Sequence, residues 1–190
     1  IERMAAAAAE ALGGVDILVN GAGGSATHKL LRHPHELWHR MLLENLTSVY
    51  YVSRAFLPGL VARPWGRILN VASVAAKTGA PYTAAYSAAK HGVLGLTRVL
   101  AAELGGTAVT VNAICPGFVD TEMTEASIAN IVARTGRSPS EAREALGRMN
   151  PQGRLLRPEE VAAVAVFLAD DRSGGITGRA IDVDGRPLPW

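Results

Sequence analysis

The spacing of apolar positions divides the chain into alternating helix-like and strand-like segments. Ile1–Leu12 is alanine-rich and runs into Gly13-Gly14, the pattern of a helix closed by glycine. Val15–Asn20 (VDILVN) is a near-continuous apolar run, as expected of a parallel strand covered on both faces. Pro34 then opens a helix with Glu36 in its first turn, with Leu37, Trp38 and Met41 packing inward. That helix runs on towards Leu60. Gly66–Ser73 (GRILNVAS) reads as a buried strand. In the next segment, Pro81–Leu104, apolar residues at Val93, Leu94, Leu96, Val99 and Leu100 repeat with a helical period. Gly105-Gly106 ends this helix, and Thr107–Thr121 (TAVTVNAICPGFVDT) is a further strand running into Pro116-Gly117. Phe118–Met149 is less apolar, and Ser138-Pro139-Ser140-Glu141 is a capping signal for a short helix within it. A segment of this length between strands suits a mobile lid over a substrate, placed at about residues 118–150. Pro158–Ala169 is an amphipathic helix with Glu159 and Glu160 in its first turn, and Ala180–Val183 is the last strand. Strands alternating with helices predict an open parallel α/β sheet in one domain, residues 1–190.

Composition narrows the class. At 190 residues, with 48% apolar and 19% charged residues, the chain is long enough for a full globular core. A net charge of +2 with scattered arginines gives no basic run for nucleic acid, although the pI is near 8.9. The longest strictly apolar run, Val161–Ala169, is far short of a membrane span. The opening residues, IERM followed by alanines, carry no signal-peptide pattern. A single cysteine, Cys115, excludes an internal disulfide and suits a reducing compartment, so the cytoplasm is the expected location.

Candidate chemistry centres on Tyr86 and Lys90. Four residues apart on a helix, the phenol and the ammonium share one face. A tyrosine titrating near ~10 is a poor acid or base at neutral pH, and a cation held close moves it towards working pH. The plainer reading is a core tyrosine beside a lysine whose stem lies along the surface. Two other motifs compete. Gly21–Ala26 (GAGGSA) formally matches the dinucleotide turn G-x-G-x-x-A after a strand. His28–His33 is not the helix that should follow it, and no strand ending in an acidic residue comes at the right distance. His35-Glu36-Leu37-Trp38-His39 is a literal H-E-x-x-H, the pattern of a zinc hydrolase. A third ligand is missing: Leu42 and Asn45 stand where a glycine and a histidine would follow, and no acidic residue occurs from Asn45 to Ala102.

Taken together, VDILVNGAG, Asn45 in its helix, the strand ending at Ser73, Tyr86-x-x-x-Lys90 and the strand running into Pro116-Gly117 resemble the short-chain dehydrogenase/reductase family, from Val15 to Gly185. The resemblance implies a doubly wound, Rossmann-like parallel sheet and a catalytic set of Asn45, Ser73, Tyr86 and Lys90. Ser73 would polarise a substrate carbonyl, Tyr86 would exchange the proton, Lys90 would lower the Tyr86 pKa and hold nicotinamide ribose hydroxyls, and Asn45 would kink its helix and hold a water. Asn20, Gly21, Ala22 and Gly23 would lie along the cofactor with Tyr86 and Lys90, and Pro116, Gly117, Val119 and Thr121 would hold the nicotinamide carboxamide. The family's N-N-A-G turn has Gly21 in place of its second Asn. NADP(H) is the favoured cofactor, with NAD(H) as the alternative; the substrate is a small carbonyl or alcohol. The run VTVNAICPGFVDTEM and the long lid are most similar to β-ketoacyl thioester and polyketide ketoreductases. The resemblance further implies a homotetramer built through the Tyr86 helix and the last helix and strand.

Family members also carry a T-G-x-x-x-G-x-G turn after a first strand and a charged residue after the second. Neither pattern occurs in these 190 residues, so the sheet is expected to lack its first strands here. Two other readings therefore stand beside the oxidoreductase: a catalytically silent fragment or binding subunit of the same fold, and, more remotely, the zinc hydrolase.

Overall fold

The computed structural model describes residues 1–187; the domain predicted over 1–190 reaches past them to 188–190, which lie outside the described residues. Four strands, β1 (Ile17–Asn20), β2 (Gly66–Val71), β3 (Val109–Pro116) and β4 (Ala180–Val183), form one sheet in the order β1-β2-β3-β4, all parallel. Between them run α1 (Glu2–Leu12) ahead of β1, α2 (His35–Leu42) and α3 (Ser48–Val61) joined by a π-helical turn at Leu43–Thr47, and α4 (Ala84–Glu103). Helices α5 (Glu122–Thr135), α6 (Pro139–Gly147) and α7 (Pro158–Ala169) connect β3 to β4.

Strand alternation sorts the core into two layers. Leu18, Ile68 and Val111 face α3 and α4, where they meet Leu60, Leu100, Ala101 and Leu104. Ala113 and Cys115 continue that face against Val49, Val93 and Leu94. Leu69 and Ile114 point the other way, onto Leu168 of α7. The sheet is thus covered by helices on both sides, the doubly wound arrangement that the family resemblance implies.

The run Val15–Asn20 departs from the expected double cover. Leu18 and Asn20 are buried, while Ile17 and Val19 on the opposite face are 42% and 51% exposed, because α7 lies over β2 and β3. Asp16 precedes the strand and is tied to Arg63 by a two-pronged ion pair. In α2, Met41 packs inward as predicted and Leu37 is half-buried, but Trp38 is exposed.

One helix in the lid was not legible as such. Residues 122–135 form α5, and its Ile128 packs on Ala142 and Leu146 of α6, with Phe118, Ile131, Val132 and Leu155 around them. The capping signal at Ser138 is realised: its hydroxyl accepts from the Glu141 N–H, and the Glu141 carboxylate accepts from the Ser138 N–H. The Ser138 N–H and hydroxyl both donate to the Glu141 carboxylate and hold it below its ordinary range.

Candidate active site

Parallel pairing puts the carboxyl ends of all four strands along one edge, and the predicted site residues gather there. Ser73 follows β2 by two residues in extended conformation and caps a single 3-10 turn, Val74–Ala76; its Oγ accepts from the Ala75 N–H at 3.1 Å. Helix α4 leaves the next loop and brings Tyr86 back over the strand end. The Tyr86 phenol is hydrogen-bonded to the Ser73 hydroxyl. Lys90 lies one turn further along, its Nζ 5.7 Å from the centre of the Tyr86 ring and donating to the Val71 carbonyl at 2.9 Å.

The electrostatics of this trio differ from the sequence expectation. Burial raises the Tyr86 pKa above its ordinary value of 10.0, and the hydrogen bond from Ser73 pulls only partly the other way. The nearby Lys90 charge does not bring the phenol below its ordinary value. Its ammonium lies over the ring face and is committed to Val71, and burial pulls its own pKa down to about 8. The predicted depression of the Tyr86 pKa by Lys90 is therefore corrected: Tyr86 is a protonated phenol across the neutral range.

Asn45 sits at the centre of the π-helical turn, fully buried. Its Nδ2 donates to the Met41 carbonyl at 3.0 Å, and its Oδ1 has no hydrogen-bond partner among the described residues. The turn after β1 passes close by. A Cβ placed on Gly23 would lie 2.6 Å from Asn45 Oδ1 and 3.7 Å from Lys90 Nζ. Gly23, Asn45 and Lys90 thus converge, which periodicity alone does not reveal. Gly21 is roomier, its nearest neighbour being Val71 Cγ2 at 3.8 Å. The Asn20 side chain points inward: its Nδ2 donates to Ser53 Oγ at 3.0 Å and Asn70 Oδ1 at 2.8 Å, and Asn70 in turn donates to Thr97. This buried polar row was missed in the sequence, since single asparagines and threonines inside apolar runs carry no pattern.

On the far side, Pro116 ends β3 and Gly117 donates to Val183. Gly117 has no room for a side chain, because Asn150 Oδ1 and Asp184 press against it. Asn150 was not singled out in the sequence. Its amide brackets Phe118, accepting from the N–H at 2.9 Å and donating to the carbonyl at 2.8 Å, and it also donates to Arg154 O. Val119 bridges to Leu156, so the segment entering the lid is pinned like an extra strand. Thr121 stands exposed before α5, its hydroxyl directed at the Val119 carbonyl at 3.5 Å and not capping the helix.

The residues present fit the nicotinamide–ribose end of a dinucleotide. Lys90 spends one of its three donor hydrogens on Val71, which leaves two, and Asn45 Oδ1 is a buried acceptor beside it with no partner among the described residues. His35 and His39 lie on the exposed surface of α2, and among the described residues no three His, Cys, Asp or Glu side chains gather as a metal would need. Also among the described residues, no helix is long and apolar enough to cross a membrane.

The family described as enoyl-(acyl carrier protein) reductase matches residues 1–185. D-β-hydroxybutyrate dehydrogenase of Rhizobium meliloti is 38% identical over 97% of this chain and 72% of its own length. The 3-oxoacyl-[acyl-carrier-protein] reductase FabG of Vibrio cholerae is 40% identical over 97% of this chain and 71% of its own. A crystal structure of a single-substitution variant of actinorhodin polyketide ketoreductase with NADPH superposes with a TM-score of 0.92 at 38% identity, covering 97% of this chain and 71% of that one.

Proposed function

The chain belongs to the short-chain dehydrogenase/reductase family of NAD(P)-dependent oxidoreductases, and we propose that it reduces a β-ketoacyl thioester or polyketide ketone with NADPH. The observation that carries the reading is the Ser73–Tyr86–Lys90 arrangement, with the phenol held protonated by burial. A proton donor for reduction must carry its proton when the substrate oxygen becomes basic, and the alkoxide formed by hydride addition is basic enough to take a proton from a phenol. The relatives named for ketoacyl reduction and the NADPH of the structural relative support the substrate and cofactor classes.

In this reading Ser73 donates its hydroxyl hydrogen to the substrate carbonyl oxygen and polarises it. Bound NADPH supplies the hydride that the carbonyl carbon accepts. Tyr86 delivers its proton to the same oxygen. Lys90 holds the ribose hydroxyls with the donor hydrogens that Val71 does not take, and its positive charge stabilises the phenolate left behind. Asn45 Oδ1 accepts from a water that returns a proton towards Lys90 and Tyr86. The backbones of residues 20–23 and 116–119, with the Thr121 hydroxyl, flank the nicotinamide. Residues 118–150, with their own small core, cover the substrate as part of a single domain. Exposed apolar side chains on α3, α4 and α7 (Tyr50, Tyr51, Val99, Val166, Phe167) suit subunit contacts in a homotetramer, which light scattering would read directly.

The test is turnover of an acetoacetyl thioester with NADPH by the full-length protein, wild type and Tyr86→Phe. Tyr86→Phe is expected to lower kcat by about a thousandfold or more while NADPH affinity changes little. Substantial turnover by the variant would sink the proton-donor assignment. A wild type that neither binds NADPH nor turns over would favour the silent-subunit reading, in which the fold is kept and cofactor binding is lost.

A further inference from the structure

We propose that Lys77 and Asp182 are positioning residues: their ion pair holds the turn that carries the Ser73 hydroxyl against β4 and so sets its place beside the Tyr86 phenol. The inference rests on reading Ser73 as the donor to the substrate carbonyl. The turn needs such a support. Val74–Ala76 is a single 3-10 turn, held by the bonds from Ala76 N–H to Ser73 O (2.9 Å) and from Lys77 N–H to Val74 O (3.0 Å). A turn this short has poor intrinsic stability.

Lys77 closes the turn and reaches sideways to the sheet. Its Nζ donates to the Ala180 carbonyl at 2.9 Å and meets Asp182 Oδ1 at 2.6 Å, with only 18% and 21% of the two side chains exposed. At that depth the attraction is far less screened than between surface charges. Asp182 Oδ1 is buried with no hydrogen-bonding partner among the described residues, so Lys77 is what answers its charge. The register places Asp182 directly across from Cys115, whose buried thiol feels the charges of both Lys77 and Asp182. Ser73 is therefore tied to the β3–β4 pair through Lys77, four residues on. Neither Lys77 nor Asp182 belongs to the Tyr86–Lys90 pair or to the glycine turns, and no role in the reaction itself falls to them. Their effect passes through the position of one hydroxyl, where a displacement of ~1 Å is enough to cost about a hundredfold in rate.

The experiment compares Lys77→Met, Asp182→Asn, Lys77→Arg and Ser73→Ala in the full-length enzyme. Three quantities are read: kcat and KM for the keto thioester, the thermal midpoint, and the rate of iodoacetamide labelling at Cys115, followed at its own peptide. Lys77→Met and Asp182→Asn are expected to lower kcat about tenfold with substrate KM changed less than about threefold. Both should label several-fold faster at Cys115, Lys77→Arg should restore most of the rate, and the Lys77→Met/Asp182→Asn double variant should be no slower than the worse single. Should Lys77→Met fail to fold, Asp182→Asn decides, since it leaves the bond from Lys77 to Ala180 in place. A folded Asp182→Asn enzyme with kcat within about twofold of wild type, or with unchanged Cys115 labelling, overturns the clamp. Full turnover by Ser73→Ala would instead overturn the role given to Ser73, while Cys115 labelling in the clamp variants still reports the clamp.

Discussion

Gly23 and Gly21 stand two residues apart in the turn after β1 and carry different constraints. A methyl on Gly23 would press on Asn45 Oδ1 at 2.6 Å, so Gly23→Ala must displace Asn45 or the turn itself. The expected outcome is a rise in the NADPH dissociation constant of about tenfold, measured by titrating nicotinamide fluorescence. Gly21→Ala meets only Val71 Cγ2 at 3.8 Å and should leave the thermal midpoint where it was. Lys90 makes a second prediction at this scale. With its pKa lowered from 10.5 to about 8, it loses its charge as pH rises through about 8, and NADPH affinity should fall over that range. The same shift has a stability consequence of fixed sign. Between about 8 and 10.5 the unfolded state binds the proton that folded Lys90 has lost, so folding stability gains from this residue as pH rises. Cys115, raised from 9.0 to about 11, acts in the opposite sense between those values, and the raised Tyr86 joins it above 10.0. The Lys90 contribution is therefore isolated between about pH 8 and 9, where denaturant midpoints are expected to rise with pH and Lys90→Met should abolish the rise.

The π-helical turn at Leu43–Thr47 is the element whose shape departs most from its sequence. Leu42, Leu43 and Leu46 are ordinary helix formers, so periodicity predicts a helix running on towards Leu60, while the family resemblance implies a kink at Asn45. The turn instead widens by one residue and sets Asn45 inside, with its Nδ2 on the Met41 carbonyl and its Oδ1 unanswered. An unanswered buried amide oxygen costs stability, and such bulges recur at functional sites. Asn45→Ala should therefore keep or raise the thermal midpoint while lowering kcat by at least about tenfold; a large loss of stability with turnover intact would mean the bulge serves folding alone. Elements with strong local codes were read closely: Pro158–Ala169 and Ala180–Val183 have the predicted bounds, and the capping signal at Ser138 opens α6. Helix α5 escaped because EMTEASIANIVART scatters threonine, serine and asparagine among its apolar residues. Its stripe of Ile128, Ile131 and Val132 gains meaning only once Ala142 and Leu146 lie opposite.

Across the whole molecule, the two edges of the sheet divide chemistry from support. The carboxyl ends carry Ser73, Gly23 and Gly117, while the amino ends hold Arg67, almost wholly buried beside Trp65, its guanidinium 4.9 Å from that ring. Arg67 donates to the carbonyls of Gly66 (2.8 Å), Asp170 (3.4 Å) and Asp171 (3.3 Å), answering backbone groups just past the end of α7. Arg67→Leu should cost about 2–4 kcal/mol in urea unfolding, because those carbonyls lose their donor, yet leave kcat unchanged. A drop in kcat without loss of stability would contradict this division of labour. The sequence by itself determined the alternation of strand and helix and the Tyr86–Lys90 spacing, because periodicity and spacing are local and survive without neighbours, while the doubly wound sheet and the place of Ser73 in the site were legible through the family resemblance its motifs carry. Only the tertiary structure decided that Asn20 turns inward onto Ser53 and Asn70, that Asn150 braces Gly117, and that Lys77 reaches Asp182 across 105 positions (182 minus 77). It also decided the direction of the Tyr86 pKa. A phenol's proton affinity depends on which groups surround it in space, and here burial outweighs the hydrogen bond from Ser73, while the ammonium expected to help lies over the ring and faces Val71.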